Sequence, residues 1–319
     1  MKYDYKKLNI ETYIHSLYED GFKHSEKYSN EVIKALLLNI GIFKFKGYVK
    51  AFRTKISEYS IDDVINLYNA DREVSLNMFA LSSKVETKLK SYLIELVYEL
   101  TDNPFFYLLK ESYMEDFSLN GESTIDWEIK KAHPQQKTEI YQHYRDYYLA
   151  KYSFNDNKQA YLHSQEFIEL NHAKDINYPP FHYFVENMTL GSLINMISKL
   201  TINNDKILNL LGKRFKIQDS NVFLHYLLRL KELRNRCAHN GRIFNRNYRG
   251  VKAFGEHKKY RNTVYEHKLI DVYYTLYYLL ENKDNFKTVE KLIEQFRLEV
   301  FLNCEQSSSE FMINIMKTR

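Results

Sequence analysis

With 319 residues, 44% of them hydrophobic, the chain can bury a large core, and nine Gly and four Pro are too few to turn an all-β chain many times. Two cysteines, Cys237 and Cys304, make neither a disulfide framework nor a C-x-x-C pair for zinc, which points to a reducing cytosol. The net charge of +5 is modest, but residues 225–268 carry twelve Lys and Arg against three Glu, a net of +9 that leaves −4 for the remainder. A basic patch so concentrated is the electrostatic footprint of a polyanion partner.

In chain order, the apolar spacing predicts a first helix over 10–20, capped by Asn9 and ended by Gly21, and a second over 31–40 that stops at Gly41. No apolar core of about 7 residues follows the first lysines, so the N-terminus does not read as a signal peptide. Phe43, Phe45, Tyr48, Val49 and Phe52 read as N-terminal core on a short helix. A helical pattern then runs over 61–100, with an expected break near Ala70 and a core stripe of Val85, Leu89, Leu93, Leu96 and Leu100.

Asn103-Pro104 marks a break, and 117–126 reads as an exposed loop. Pro134 opens a helix through 152 whose His143, Tyr144, Arg145, Tyr147 and Tyr148 are core material before they are a base-stacking surface. The polar region 153–178 holds His163 and His172, without carboxylates at metal-ligand spacing. Pro179-Pro180 pre-sets a helix start, Thr189 caps 190–200, Asn204 starts a helix to 211, and Asp219 or Ser220 starts the next. Beyond it, 243–265 is basic and loop-like. Helices over 266–281 and 286–302 return Leu269, Val272, Tyr273, Leu276 and Leu280 to the core. The longest apolar run, around 272–280, falls far short of the about 18 residues that cross a membrane. The expected architecture is one all-α domain over 1–302 followed by a tail over 303–319.

The helix opening near 220 carries the chemistry. Leu224, Leu227, Leu230 and Leu233 form its buried stripe, which gives way to Arg234, Asn235, Arg236, Cys237, Ala238 and His239. Asn240 and Gly241 tolerate the left-handed conformation that ends many helices. Asn235 and His239 lie about 40° apart around the axis and Arg234 about 140° from His239, so either Arg234 reaches round or the helix distorts near Cys237. From spacing alone, His239 reads first as the C-cap of this helix.

Arg234-Asn235-x-x-x-His239 resembles the R-x(4 to 6)-H motif of HEPN domains, and the longer run LRNRCAHNGRIFNR resembles the signature of the Abi-like abortive-infection family. FKFKGYVKAF near 50, SKVETKLKSYL near 90, HYRDYY near 145 and MTLGSLINMISKL near 195 are similar to that family in the same order. The resemblance implies a helical bundle of HEPN type with additional N-terminal helices, the motif region lying at about 180–300. It further implies a metal-independent, cofactor-free endoribonuclease of phage defence, with His239 as acid or base and Arg234 on the scissile phosphate. Asn235 orients the phosphate or the histidine, and Arg236, Arg242, Arg246, Arg249 and Lys252 hold flanking RNA. Asn240 departs from the family, where many relatives carry a second histidine. Glu86 matches an acidic position of the family and reads either as an anchor for Arg234 or as an i, i+4 partner of Lys90.

Such domains commonly pair, which implies a cytoplasmic homodimer with RNA as substrate and a small structured RNA as restraining antitoxin. A second formal match, Arg261 to His267, lacks the preceding apolar helix. No glycine-rich phosphate loop, H-E-x-x-H or G-x-S-x-G is present. Two other readings stand beside the nuclease: a non-catalytic module binding structured RNA, and an interaction protein sensing a phage protein.

Overall fold

The computed structural model describes residues 9–104, 106–108, 112–114, 118–119, 122–123, 180–244, 246–249 and 269–280. The expected helices over 134–152 and 286–302, the Arg261 match, Lys252 and the C-terminal tail lie outside the described residues. The described chain is all-α, with two short antiparallel ladders.

Helix α1 (Ile10–Glu19) starts where the Asn9 carboxamide accepts the Thr12 N–H at 2.7 Å. Ser29 caps α2 (Asn30–Ile40), which ends at Gly41, a residue at φ +84°. Helix α3 (Ile42–Val49) continues into a 3₁₀ stretch, Lys50–Glu58. Phe45, Tyr48, Val49 and Phe52 are buried as expected, whereas Phe43 is 85% exposed. That correction has a geometric cause: at 100° per residue the four buried side chains span one face of α3, and Phe43 falls on the other.

Helix α4 (Ile61–Leu100) is the spine, and it runs unbroken through Ala70. Its forty residues contain no Gly or Pro, and Ala, the best helix former, supplies no reason to stop. Its start is fixed by Asp63, which accepts the Ser60 N–H at 2.8 Å. Two core clusters share this helix. Ile61, Val64, Ile65 and Leu67 pack with α1–α3, while Val74 through Val97 pack with the elements after residue 180. Leu100, expected in the core stripe, is only partly buried.

Within the expected loop over 117–126, β1 (Ser118–Leu119) and β2 (Glu122–Ser123) form a two-residue ladder. After Pro180 come α5 (Phe181–Asn187) and α6 (Leu190–Lys199), the latter capped by Thr189. The helix expected from Asn204 begins later. Asn203 and Asn204 instead turn between β3 (Thr201–Ile202) and β4 (Asp205–Lys206) at φ +52° and +69°, the backbone that two-residue hairpins demand, and α7 spans Ile207–Arg214.

Asp219 caps α8 (Ser220–Ala238) through the Asn221 N–H at 2.8 Å. Helix α8 packs on α4, α6, α7 and α9 (Leu269–Leu280), with Leu227, Leu230 and Leu233 fully enclosed. No helix among the described residues is long and apolar enough to cross a membrane.

Leu230 is fully buried in the core cluster that α8 shares with the spine, so Leu230→Ala is expected to cost about 2–5 kcal/mol of unfolding free energy. Urea denaturation measures this, and a loss below about 1 kcal/mol would be too small for a side chain enclosed on all sides.

Candidate functional site

Helix α8 does not distort near Cys237; it stays α-helical to Ala238. His239 is its C-cap, and its backbone N–H donates to the Asn235 carbonyl at 3.0 Å. Asn240 adopts φ +50° and donates to the Cys237 carbonyl at 3.0 Å, while the Gly241 N–H reaches the Arg236 carbonyl at 2.8 Å. This pair of bonds is a Schellman termination, built entirely from backbone groups. The His239 side chain therefore takes no part in capping. Its imidazole is exposed and has no hydrogen bond or ion pair among the described residues.

Arg234 turns towards α4, as its angular position requires. Its Nε lies 3.4 Å from Glu86 Oε2 in an ion pair, and its guanidinium carbon lies 5.9 Å from the Phe79 ring centroid. The other Glu86 oxygen lies 4.0 Å from Lys90 Nζ, so the carboxylate serves both partners that the sequence left open. Lys90 is buried and donates to the Glu186 carbonyl at 3.0 Å, which fixes the carboxylate from behind. The ion pair runs through Nε, which makes no hydrogen bond among the described residues, and Nη1 lies 3.4 Å from Asn235 Oδ1. The Arg234 side chain remains 34% exposed against 15% for Glu86, so the pair presents its cation outward.

The segment after the motif is held by a buried carboxylate. Asp71 Oδ1 accepts the Phe244 N–H at 2.7 Å, and Oδ2 accepts the Ile243 N–H at 3.4 Å. The Tyr48 hydroxyl and Arg72 Nη2 also donate to Oδ2, the arginine at 2.8 Å. Arg72 Nη2 reaches on to the Gly241 carbonyl at 2.7 Å, two residues past His239. Ile243 packs in the larger core cluster and Phe244 in the N-terminal one. Asp71 thus pins the chain at the point where it crosses between them. Burial first, then the Asp71 charge, pushes the Tyr48 hydroxyl far above the ordinary tyrosine range and keeps it a donor.

A second clamp holds the far end. The fully buried Arg229 donates through Nε to the Arg249 carbonyl at 2.8 Å and through Nη1 to Thr275 Oγ1 at 3.2 Å. Glu232 accepts the Arg249 N–H at 3.2 Å and pairs with Arg236 at 3.0 Å.

The candidate RNA contacts therefore separate. Arg246 and Arg249 expose their side chains. Arg236 is half-buried between Glu232 and the Tyr248 ring, and Arg242 lies over the Tyr48 ring and donates to the Gly47 carbonyl. Burial, and then the charge of Arg246, lowers the Arg242 pKa. Asn235 and His239 are exposed on the same end of the helix.

Asp71, Arg72, Tyr48, Arg229 and Glu232 escaped the sequence reading. A signal for two of them exists: Asp71 interrupts the buried series Val64, Leu67, Val74 and Met78, and Arg229 interrupts Tyr226, Leu230 and Leu233. A charge inside an apolar stripe must be compensated. Cys237 is buried, which raises its thiol pKa and removes it as a nucleophile. Among the described residues no group of His, Cys, Asp and Glu is arranged to hold a metal ion.

Compared with known protein families, residues 35–245 match the family described as Abi-like protein. No curated protein and no solved structure matches the chain. The matched span includes Glu86, Asp71 and the whole of Arg234 to Arg242, and ends before Arg246.

Replacing Tyr48 by Phe leaves Asp71 short of a donor and is expected to cost about 1–3 kcal/mol near pH 8. The folded-state pKa of Tyr48 is raised, so its stabilisation is complete below the unfolded tyrosine value of about 10 and is lost as pH climbs beyond it. Urea denaturation of both proteins should show the gap narrowing above about pH 10 by up to about 1.4 kcal/mol per pH unit. A gap that stays constant would mean that the hydroxyl is not the buried donor.

Proposed function

The chain belongs to the Abi-like protein family, and from that premise we propose that it is a metal-independent endoribonuclease of the HEPN type, acting in phage defence. One observation carries the reading: an exposed imidazole stands at the end of α8, about a turn and a half beyond an arginine that is ion-paired to a carboxylate of the spine.

RNA supplies its own nucleophile, the 2′-hydroxyl, so the protein need only transfer protons and stabilise charge. His239 removes the 2′-hydroxyl proton or protonates the leaving 5′-oxygen, which contributes about 10²- to 10⁴-fold. Arg234, anchored through Nε by Glu86, offers its remaining N–H groups to the non-bridging phosphate oxygens as charge builds on them. Asn235 sits beside both and orients the phosphate. Arg246 and Arg249, on a segment clamped at both ends, hold flanking phosphates without having to be ordered on binding. Arg236 and Arg242, already engaged with protein partners, add field rather than free donors.

One histidine cannot readily serve as base and acid in the same turnover. A second copy of the chain, facing the first across a shared cleft, supplies the other. RNA is the substrate, and a structured RNA bound to the basic segment is the natural restraint on such an enzyme.

His239→Ala is expected to lower single-turnover cleavage of a labelled RNA by at least about 10²-fold while leaving binding within about twofold. Arg234→Lys should also fail, because an ammonium cannot hold Glu86 and span two phosphate oxygens together. Unimpaired cleavage by either variant would remove that residue from the mechanism. For the shared cleft, sedimentation equilibrium should report a dimer. Mixing the parent with an excess of His239→Ala chains should lower the rate per parent chain, because each mixed dimer keeps a single imidazole; an active strict monomer contradicts the arrangement.

A further inference from the structure

Phe43 is the most exposed large apolar side chain described, at 85%, and its position is forced. Turning α3 to bury it would expose Phe45, Tyr48, Val49 and Phe52, all within the N-terminal core. Phe43, Lys46, Gly47 and Lys50 follow the i, i+3, i+4, i+7 spacing of one helix face, and Lys50 keeps helical geometry at φ −57°, ψ −24°. Lys46 Nζ lies 5.9 Å from the Phe43 ring centroid and 5.2 Å from that of Tyr13.

This face joins the motif segment directly. Arg242 donates to the Gly47 carbonyl, and a Cβ at Gly47 would lie 3.3 Å from the Arg242 guanidinium carbon, close enough to push the arginine back by a few tenths of an ångström. Arg242 is three residues beyond His239, on the stretch tied down by Arg72 and Asp71. The charge is one-sided: residues 32–57 contain six Lys and Arg and no Asp or Glu. Of these, Lys44, Lys46, Lys50 and Arg53 have no ion pair among the described residues. An aromatic ring in water, beside Lys46 and on a lysine-bearing segment without acidic residues, fits a strand that alternates π-faces with negative charges.

We propose that this face of α3 is a stacking subsite for single-stranded RNA, continuous with the motif segment through Arg242. Phe43 stacks one nucleobase, and Lys46 and Lys50 hold the phosphates on either side of it. The proposal rests on the RNA-directed reading above and extends the contact surface to the opposite end of the sequence from the motif. It selects single strands, because a base inside a duplex has no free face to offer.

The test uses the full chain carrying His239→Ala, so that RNA survives the measurement, with a fluorescein-labelled 12-nucleotide single strand and a blunt duplex of the same sequence. Phe43→Ala is expected to weaken single-strand binding roughly 5- to 100-fold, with duplex binding unchanged. The slope of log affinity against log salt should stay the same for Phe43→Ala and fall by about 0.7 for each of Lys46→Gln and Lys50→Gln. Single-strand affinity within twofold of the parent would overturn the subsite. If self-association were lost instead, the face would be a protein contact, which also overturns it. Cleavage by the His239-containing parent is scored separately. Cleavage without any dependence of affinity on Phe43 sinks the subsite and spares the nuclease reading; Phe43-dependent binding without cleavage does the reverse.

Discussion

A carboxylate enclosed in the middle of a forty-residue helix organises this molecule. Asp71 stands on α4 where the N-terminal core cluster gives way to the larger one, and it is almost completely shielded from solvent. An isolated buried charge is prohibitive, so its position is tolerable only if donors converge on it. Four do: the Tyr48 hydroxyl from α3, the guanidinium of Arg72, the next residue along α4, and the backbone N–H groups of Ile243 and Phe244. The last two make the segment after α8 part of the solution. Remove the carboxylate, and the crossing rests on the burial of Ile243 and Phe244 alone, with their backbone N–H groups left without this acceptor.

The consequence for the motif is rigidity on both sides. Upstream, α8 is anchored by its leucine stripe; downstream, Arg72 and Asp71 hold residues 241–244, and Arg229 with Glu232 holds Arg249. His239 lies between these supports on a turn whose three backbone N–H groups, at 239, 240 and 241, all donate to carbonyls of the helix end. Its imidazole is thus carried on a fixed backbone and makes no hydrogen bond or ion pair among the described residues. Arg234 shows the complementary solution: a flexible side chain made directional by Glu86, which is itself fixed by Lys90. In the proposed chemistry, such preorganisation replaces the metal ion that other phosphodiesterases use to gather charge.

Sequence periodicity carried the helices because their signals are local. Asn9, Thr189 and Asp219 cap where capping chemistry says they should, and Leu227, Leu230 and Leu233 of α8 are buried at the spacing that predicts it, while Leu224, expected in the same stripe, is only partly buried. Errors arose where a local preference was overruled or misjudged. Asn204 reads as a helix start, yet paired with Asn203 it makes a hairpin turn. Phe43 reads as core among four aromatic and apolar neighbours, yet the 3.6-residue period leaves room for only one face. Arg234, Asn235 and His239 were legible because they are close in sequence. The clamp was not, since Tyr48, Asp71 and Ile243 are far apart along the chain and meet only after the cores have formed. Only the misplaced charge of Asp71 within an apolar stripe hinted at it.

The chemistry of the products is the most direct test of the central claim, that His239 and Arg234 cleave RNA through its own 2′-hydroxyl. Protein stripped of nucleic acid is incubated with end-labelled RNA in EDTA, and the new termini are identified. The account predicts 2′,3′-cyclic phosphate and 5′-hydroxyl ends from the unmodified protein and none from His239→Ala. Cleavage that needs a divalent cation, or 5′-phosphate ends, would contradict it.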